Sequence, residues 1–157
     1  RTENVDDREF LVYFLGELDI LHVHGVRILF PVHPRTTARM VEFGITPRKY
    51  MSLPLSYHVF LEEIATAKMV LTDSGGVQEE TTFLGIPCLT LRDETERPVT
   101  VDQGTNQLVG LRSLQREVMS RMKNTRKIKP PVIEGWDGKA GERSVQSIAN
   151  FLESYRF

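Results

Sequence analysis

The sequence predicts an α/β protein with a parallel sheet covered by helices on both faces. Short aliphatic runs, too uniformly apolar for surface strands, alternate with segments of helical period. Glycine or proline closes most of them. The 157 residues leave room for about five strands with their crossover helices.

The elements follow in chain order. Asp6 and Glu9 are spaced like a capping pair, and Phe10, Leu11, Phe14, Leu15, Leu18 and Leu21 recur at helical spacing up to a stop at Gly25. Residues 26–32 are an aliphatic, β-branched run, expected as a buried strand closed by Pro34. Residues 35–43 return to a helical pattern that ends at Gly44, and 50–53 form a weaker strand ended by Pro54. The spacing predicts a helix over 56–66 with Phe60, Leu61 and Ile64 inward. A strand at 69–72, a helix at 77–84 stopped by Gly85, and a strand at 87–91 come next. Residues 92–105 are polar and hold at most a turn of helix. A short strand at 107–109 precedes a helix over 113–123, with Leu114, Val118 and Met122 at i, i+4 and i+8. Residues 124–140 read as an extended connection, and 141–155 as a terminal amphipathic helix with Val145, Ile148 and Leu152 on one face. With right-handed crossovers these elements make one Rossmann-like, doubly wound domain over residues 1–157.

Composition narrows the function. Twenty basic residues against 21 acidic ones leave a net charge of -1, so no overall field attracts nucleic acid or a membrane surface. Any anion site must be local. The single cysteine, Cys88, excludes a disulfide framework and a cysteine-rich metal site. No apolar run approaches the roughly 20 residues of a membrane span, and no secretory signal pattern is present. A cytoplasmic protein with no nucleic-acid or membrane partner is expected. The start at Arg1 suggests a piece of a longer protein.

Ligands of doubly wound sheets lie beyond the carboxyl ends of the strands. After the strand at 69–72 comes Asp73-Ser74-Gly75-Gly76-Val77-Gln78-Glu79-Glu80. Gly75 and Gly76 let a backbone approach a ligand closely, and the first amides of the following helix, with its dipole, favour phosphate. Ser74 can cap the helix or offer its hydroxyl, and Glu80 can accept from ribose hydroxyls. An ordinary helix cap with no ligand accounts equally well for the same residues. The segment is neither a Walker A loop nor GxGxxG. Arg92 and Arg97, among Asp93, Glu94 and Glu96, form either a salt-bridged solvated loop or a clamp for a diphosphate. His33 stands at another strand end, where a proton-transfer role competes with a structural one. His22, His24 and His58 read as surface or helix-end residues. No histidine spacing suggests a metal, and no Ser–His–Asp set is present.

Taken in order, the segment 72–80, Leu84-Gly85-Ile86-Pro87, Leu91-Arg92-Asp93-Glu94-Thr95-Glu96-Arg97-Pro98 and Gly104-Thr105-Asn106 with Leu108-Val109-Gly110 resemble the non-hydrolysing UDP-N-acetylglucosamine 2-epimerases. Arg1-Thr2-Glu3-Asn4 is similar to the tail of that family's His-Arg-x-Glu-Asn motif. Phe30-Pro31-Val32-His33-Pro34 and Asp137-Gly138-Lys139-Ala140 with Glu142-Arg143 also fit. The resemblance covers essentially the whole chain. It implies the C-terminal half of a glycosyltransferase-B-type, two-domain fold. It also implies interconversion of UDP-N-acetylglucosamine and UDP-N-acetylmannosamine by UDP elimination and re-addition, without a cofactor.

Carried over by resemblance, Ser74 and Gly75 hold the diphosphate, Glu80 the ribose and Phe60 the uracil. Arg97 neutralises phosphate charge and takes part in catalysis, and His33 lies near the cleft as a catalytic candidate. Leu55 departs from the family's frequent glutamine, which puts one nucleotide contact in doubt. The expected partners are a UDP-sugar, a missing N-terminal domain and, when intact, a second copy in a homodimer. The half alone is expected to be inactive, because the carboxylates that handle the C2 proton belong to the missing part. A stand-alone UDP-sugar-binding module, a nucleotide-sugar glycosyltransferase fragment and a hydrolysing epimerase are the competing readings. The paired Asp-Ser-Gly-Gly and Thr-Glu-Arg-Pro segments favour the epimerases.

Overall fold

A computed structural model describes residues 2–123 and 128–154, without the side chains of Thr2 and Glu3. It is an α/β fold with parallel strands. Two helices, α1 (Thr2–Asp6) and α2 (Arg8–Val23), open the chain. The cap between them is Asp7, whose Oδ1 accepts the N–H groups of Glu9 at 2.8 Å and Phe10 at 3.1 Å. The expected cap, Asp6, is still helical in α1 and pairs with Arg35 and Arg39 instead. Leu11, Leu15, Leu18 and Leu21 of α2 are buried.

Strand β1 (Phe30–Pro31) pairs in parallel with β2 (Met51–Ser52), which makes the ladder far shorter than the predicted run at 26–32. Residues upstream still alternate. Val26, Ile28 and Phe30 pack on the core, while Arg27 and Leu29 are exposed. Helices α3 (Pro34–Glu42) and α4 (Tyr57–Thr66) follow these strands. In α4 only Ile64 is fully buried; Phe60 and Leu61 are half-buried.

The second group of strands is β3 (Val70–Thr72), β4 (Cys88–Thr90) and β5 (Asn106–Leu108), in the order β3-β4-β5 and all parallel. Thr72, Thr90 and Leu108 stand in register, so Asp73, Leu91 and Val109 leave the sheet at one edge. Helix α5 (Gly75–Leu84) begins two residues earlier than the sequence pattern suggests and ends at Gly85, whose φ of 70° is the left-handed stop expected there. Helix α6 (Pro98–Asp102) is the short turn within the polar stretch, with proline at its start.

One apolar core joins both strand groups. The leucine stripe of α2 meets Val32, Tyr50, Leu89 and Val109, together with Leu114 and Val118 of α7 (Leu114–Lys123). Cys88 is buried in β4, and burial pushes its thiol pKa up. Helix α8 (Ala140–Ser154) shows the expected amphipathic face, yet Val145, Ile148 and Leu152 are 68, 59 and 59% exposed. Residues 124–127, in the predicted connection, and Tyr155, at the predicted helix end, lie outside the described residues. Among the described residues no helix is long and apolar enough to cross a membrane.

Gly104 shows how closely α6 packs on α5. A Cβ there would lie 2.6 Å from Thr82 Cγ2 and against the Thr100 carbonyl. Gly104→Ala should lower unfolding stability in urea by about 1–3 kcal/mol, the usual cost of overpacking. Gly110→Ala, with open space around it, should stay within about 0.5 kcal/mol.

Candidate nucleotide site

The first turn of α5 is the centre of the candidate site. Three side chains fix the turn that leads into it. Thr72 Oγ1 accepts the Ser74 N–H at 3.0 Å. Arg92 Nε donates to the Asp73 carbonyl at 2.8 Å. Asn4 Nδ2 donates to Asp73 Oδ2 at 3.1 Å. The two arginines that the sequence left together therefore separate. Arg92, only 8% exposed, is a brace for the turn, and Arg97 remains half-exposed beside α5.

Ser74 holds the N-cap position, but its side chain makes no capping hydrogen bond and is exposed. The hydroxyl is therefore available at the mouth of the helix. Gly76 has no atom near the place of a Cβ, and the nearest atom to Gly75's is Glu96 Oε2 at 3.9 Å. The space in front of the first turn is open, and its amides have no acceptor within the helix. With the helix dipole they favour an anion, although the carboxylates of Asp73 and Glu96 stand nearby.

Arg97 is fixed by its backbone as much as by its side chain. Its N–H donates to Thr95 Oγ1 at 3.0 Å, and its carbonyl accepts from Thr100 Oγ1 at 2.7 Å. Both threonines belong to a buried polar network. Gln78 Oε1 accepts from Thr95 Oγ1 at 2.7 Å and from Asn106 Nδ2 at 3.1 Å. Asn106 Nδ2 also donates to Thr100 Oγ1 at 3.1 Å, and its Oδ1 accepts from Thr90 Oγ1 at 2.7 Å. The Arg97 guanidinium lies 2.9 Å from Glu79 Oε1 through Nε, an ion pair whose angle falls short of a hydrogen bond. The network thus locks the arginine-bearing loop to α5 and β5.

His33 caps α3. Its Nδ1 accepts the Arg35 N–H at 3.1 Å, which places the ring proton of the neutral imidazole on Nε2, and the residue is exposed. Helix α1 straps this end to the α5 turn. Asn4 reaches Asp73, while Asp6 pairs with Arg35 at 2.5 Å and Arg39 at 2.8 Å. The Arg35 and Arg39 guanidiniums hold the Asp6 carboxyl below its usual range. A depressed carboxylate contributes above its unfolded pKa, so the strap is present at neutral pH and is lost as pH falls through the depressed value. Arg1 and the side chains of Thr2 and Glu3, part of the motif noted above, lie outside the described residues.

Glu80 is reached from α4. Tyr57 Oη donates to Glu80 Oε1 at 3.1 Å, and Phe60 stands one turn further along the same helix. A recess of about 500 Å³ beside the α5 turn is lined by Asn4, Phe10, Leu91, Arg92, Asp93 and Gly110, among others. Among the described residues no three His, Cys, Asp or Glu side chains converge to hold a metal. His22 and His24 lie at the end of α2 and His58 on the exposed side of α4.

The sequence offered Arg92 as part of a clamp or a solvated loop, not as a brace, and it missed the roles of Asn4, Tyr57 and the Gln78 network. A signal for the last was present. Residues 75–84 carry no apolar stripe, and Gln78, Thr81 and Thr82 occupy the inward face.

A profile of the family described as UDP-N-acetylglucosamine 2-epimerase matches residues 1–149. A protein of that name from Methanocaldococcus jannaschii is 41% identical over 157 aligned positions, covering 94% of this chain and 42% of that protein. A UDP-2,3-diacetamido-2,3-dideoxy-D-glucuronate 2-epimerase from Pseudomonas aeruginosa is 36% identical, covering 70% of this chain and 31% of that protein. The crystal structure of the M. jannaschii UDP-GlcNAc 2-epimerase in complex with UDP-GlcNAc and UDP superposes with a TM-score of 0.81 at 39% identity. It covers 96% of this chain, which spans 43% of that one.

Two substitutions separate the brace from the binding surface. Asn106→Ala removes a partner from buried Thr90, Gln78 and Thr100, and should cost about 3 kcal/mol or more in urea unfolding. Ser74→Ala should cost less than about 0.5 kcal/mol, where loss of a working cap would cost about 1 kcal/mol.

Proposed function

The chain belongs to the UDP-N-acetylglucosamine 2-epimerase family, and from that premise we propose that it is the UDP-binding, C-terminal half of a two-domain nucleotide-sugar epimerase. It spans less than half the length of the relatives named above, which supports a partner domain beyond it. The exposed Val145, Ile148 and Leu152 of α8 support the same arrangement, as part of a surface for the other half. On this reading residues 1–157 form one nucleotide-binding domain, and the intact protein is a cytoplasmic homodimer.

The observation that carries the proposal is the open first turn of α5, with Gly75 and Gly76 at its mouth and Arg97 locked beside it. Diphosphate oxygens would meet the amides of that turn, the Ser74 hydroxyl and the Arg97 guanidinium. Glu80 would take the ribose hydroxyls and Phe60 the uracil. The names of the relatives share UDP and differ in the sugar, so the UDP moiety is what this half is assigned.

The proposed reaction removes the C2 proton and breaks the C1–O bond to UDP, giving a 2-acetamidoglucal. UDP then re-adds at C1 while the proton returns to C2 from the opposite face. The charge that develops on departing UDP falls on the α5 dipole and Arg97, fixed in advance by the Gln78 network. His33, an exposed residue just beyond β1, is the candidate proton donor or hydrogen-bond donor to the sugar side. Removal of the C2 proton is left to groups of the other half.

Calorimetric titration of the chain with UDP tests the site. Ser74→Ala and Arg97→Ala should each weaken binding by about tenfold, as expected for hydrogen bonds to a charged group, with the unfolding midpoint little changed. Unchanged affinity in both variants would refute the assignment. The chain alone should not interconvert UDP-N-acetylglucosamine and UDP-N-acetylmannosamine in a coupled assay. Turnover near that of a full-length relative would show that the second half is not needed.

A further inference from the structure

We propose that Tyr57 is a positioning residue that aims Glu80 at the ribose and thereby sets the preference for a ribonucleotide. The proposal rests on the assignment of Glu80 to the ribose hydroxyls. It starts from an exposed contact between two helices. Tyr57, the first residue of α4, is 59% exposed, yet its hydroxyl donates to Glu80 Oε1 at 3.1 Å across a gap of 23 residues in sequence. An exposed tyrosine that keeps this contact gives up side-chain freedom.

The pairing suits a carboxylate that must be oriented but left charged. A carboxylate offers about four acceptor sites, and the phenol takes one. Oε2 and the remaining lone pairs stay open to a vicinal diol. A lysine or arginine in place of the phenol would neutralise Glu80 and compete for the same oxygens. The neighbouring Glu79 is paired in that way with Arg97, so two adjacent acids of α5 serve different ends. Glu79 steadies the phosphate-side arginine, and Glu80 is held by a neutral donor. A phenol is a donor at neutral pH at its ordinary pKa, and the hydrogen bond to Glu80 raises that pKa further. Phe60, three residues along α4, lies on the same side of that helix. The base-side and ribose-side contacts would then be tied together by one hydrogen bond.

The test compares ligands as well as variants. The chain, Tyr57→Phe, Glu80→Ala and the double variant are titrated with UDP, 2′-deoxy-UDP and 3′-deoxy-UDP by calorimetry. The unmodified chain should prefer UDP over at least one deoxy analogue. Glu80→Ala should erase that preference. Tyr57→Phe should reduce it by about fivefold, the size of one hydrogen bond, and should change nothing further in the Glu80→Ala background. If Tyr57→Phe weakens all three ligands equally, or acts as strongly without Glu80, Tyr57 is a packing residue and the proposal fails. If Tyr57→Phe leaves every affinity unchanged while Glu80→Ala erases the preference, the proposal fails and the ribose assignment stands. If Glu80→Ala keeps the preference, the ribose assignment falls and takes the proposal with it.

Discussion

The turn from β3 into α5 is the constraint on which the candidate site depends. A helix start attracts an anion only when its first amides face open space and the chain entering it cannot reorganise to cover them. Here the entering chain is pinned at Asp73 and Ser74 by Thr72, Arg92 and Asn4, which come from three separate segments. With the backbone held from outside, Ser74 has no need to cap its own helix. Its hydroxyl and the two glycines behind it are left to the surface. The parallel register of β3, β4 and β5 then brings the Arg97 loop out at the same edge.

A buried polar network does the work that an apolar core would do elsewhere. Gln78, Thr90, Thr95, Thr100 and Asn106 are linked by hydrogen bonds of 2.7 to 3.1 Å, and they hold Arg97 by both its N–H and its carbonyl. Apolar side chains would fill the same volume, but they would not fix the direction of a loop. The network's hydrogen bonds are directional and costly to break, because each orphaned group stays buried; Gln78 Nε2 alone among these side-chain atoms is buried without a partner. The backbone that carries Arg97 is thereby set in advance, which on the proposed reading limits the reorganisation needed as charge develops on a leaving diphosphate.

Much of this was legible in the sequence. The leucine spacing of α2 predicted its buried stripe, and Gly85 predicted the end of α5 with a left-handed residue. The α/β class followed from the alternation of short apolar runs with helical ones. Pairing lengths did not follow, because residues 26–32 keep an alternating pattern whether or not a neighbour supplies hydrogen bonds; the ladder is confined to Phe30–Pro31, with the Val32 N–H donating to the Ser52 carbonyl just beyond it. Asp6 and Asp7 are chemically alike, and only the distant Arg35 and Arg39 decide which of them caps α2. Similarly, Arg92 and Arg97 sit in one polar loop, and burial alone tells the brace from the exposed arginine. Long-range partners such as Asn4 to Asp73 leave no periodic trace in the chain.

If the first turn of α5 receives the diphosphate of UDP, its amides must respond to the nucleotide. The most direct measurement is a titration of the isotopically labelled chain with UDP, following backbone amide resonances by NMR. The amides of Gly75 and Gly76 should show the largest shifts, followed by those of the Thr95–Arg97 loop, while α8 stays unmoved. Saturating UDP that leaves Gly75 and Gly76 in place, or that moves resonances only on another face, would contradict that placement of the diphosphate.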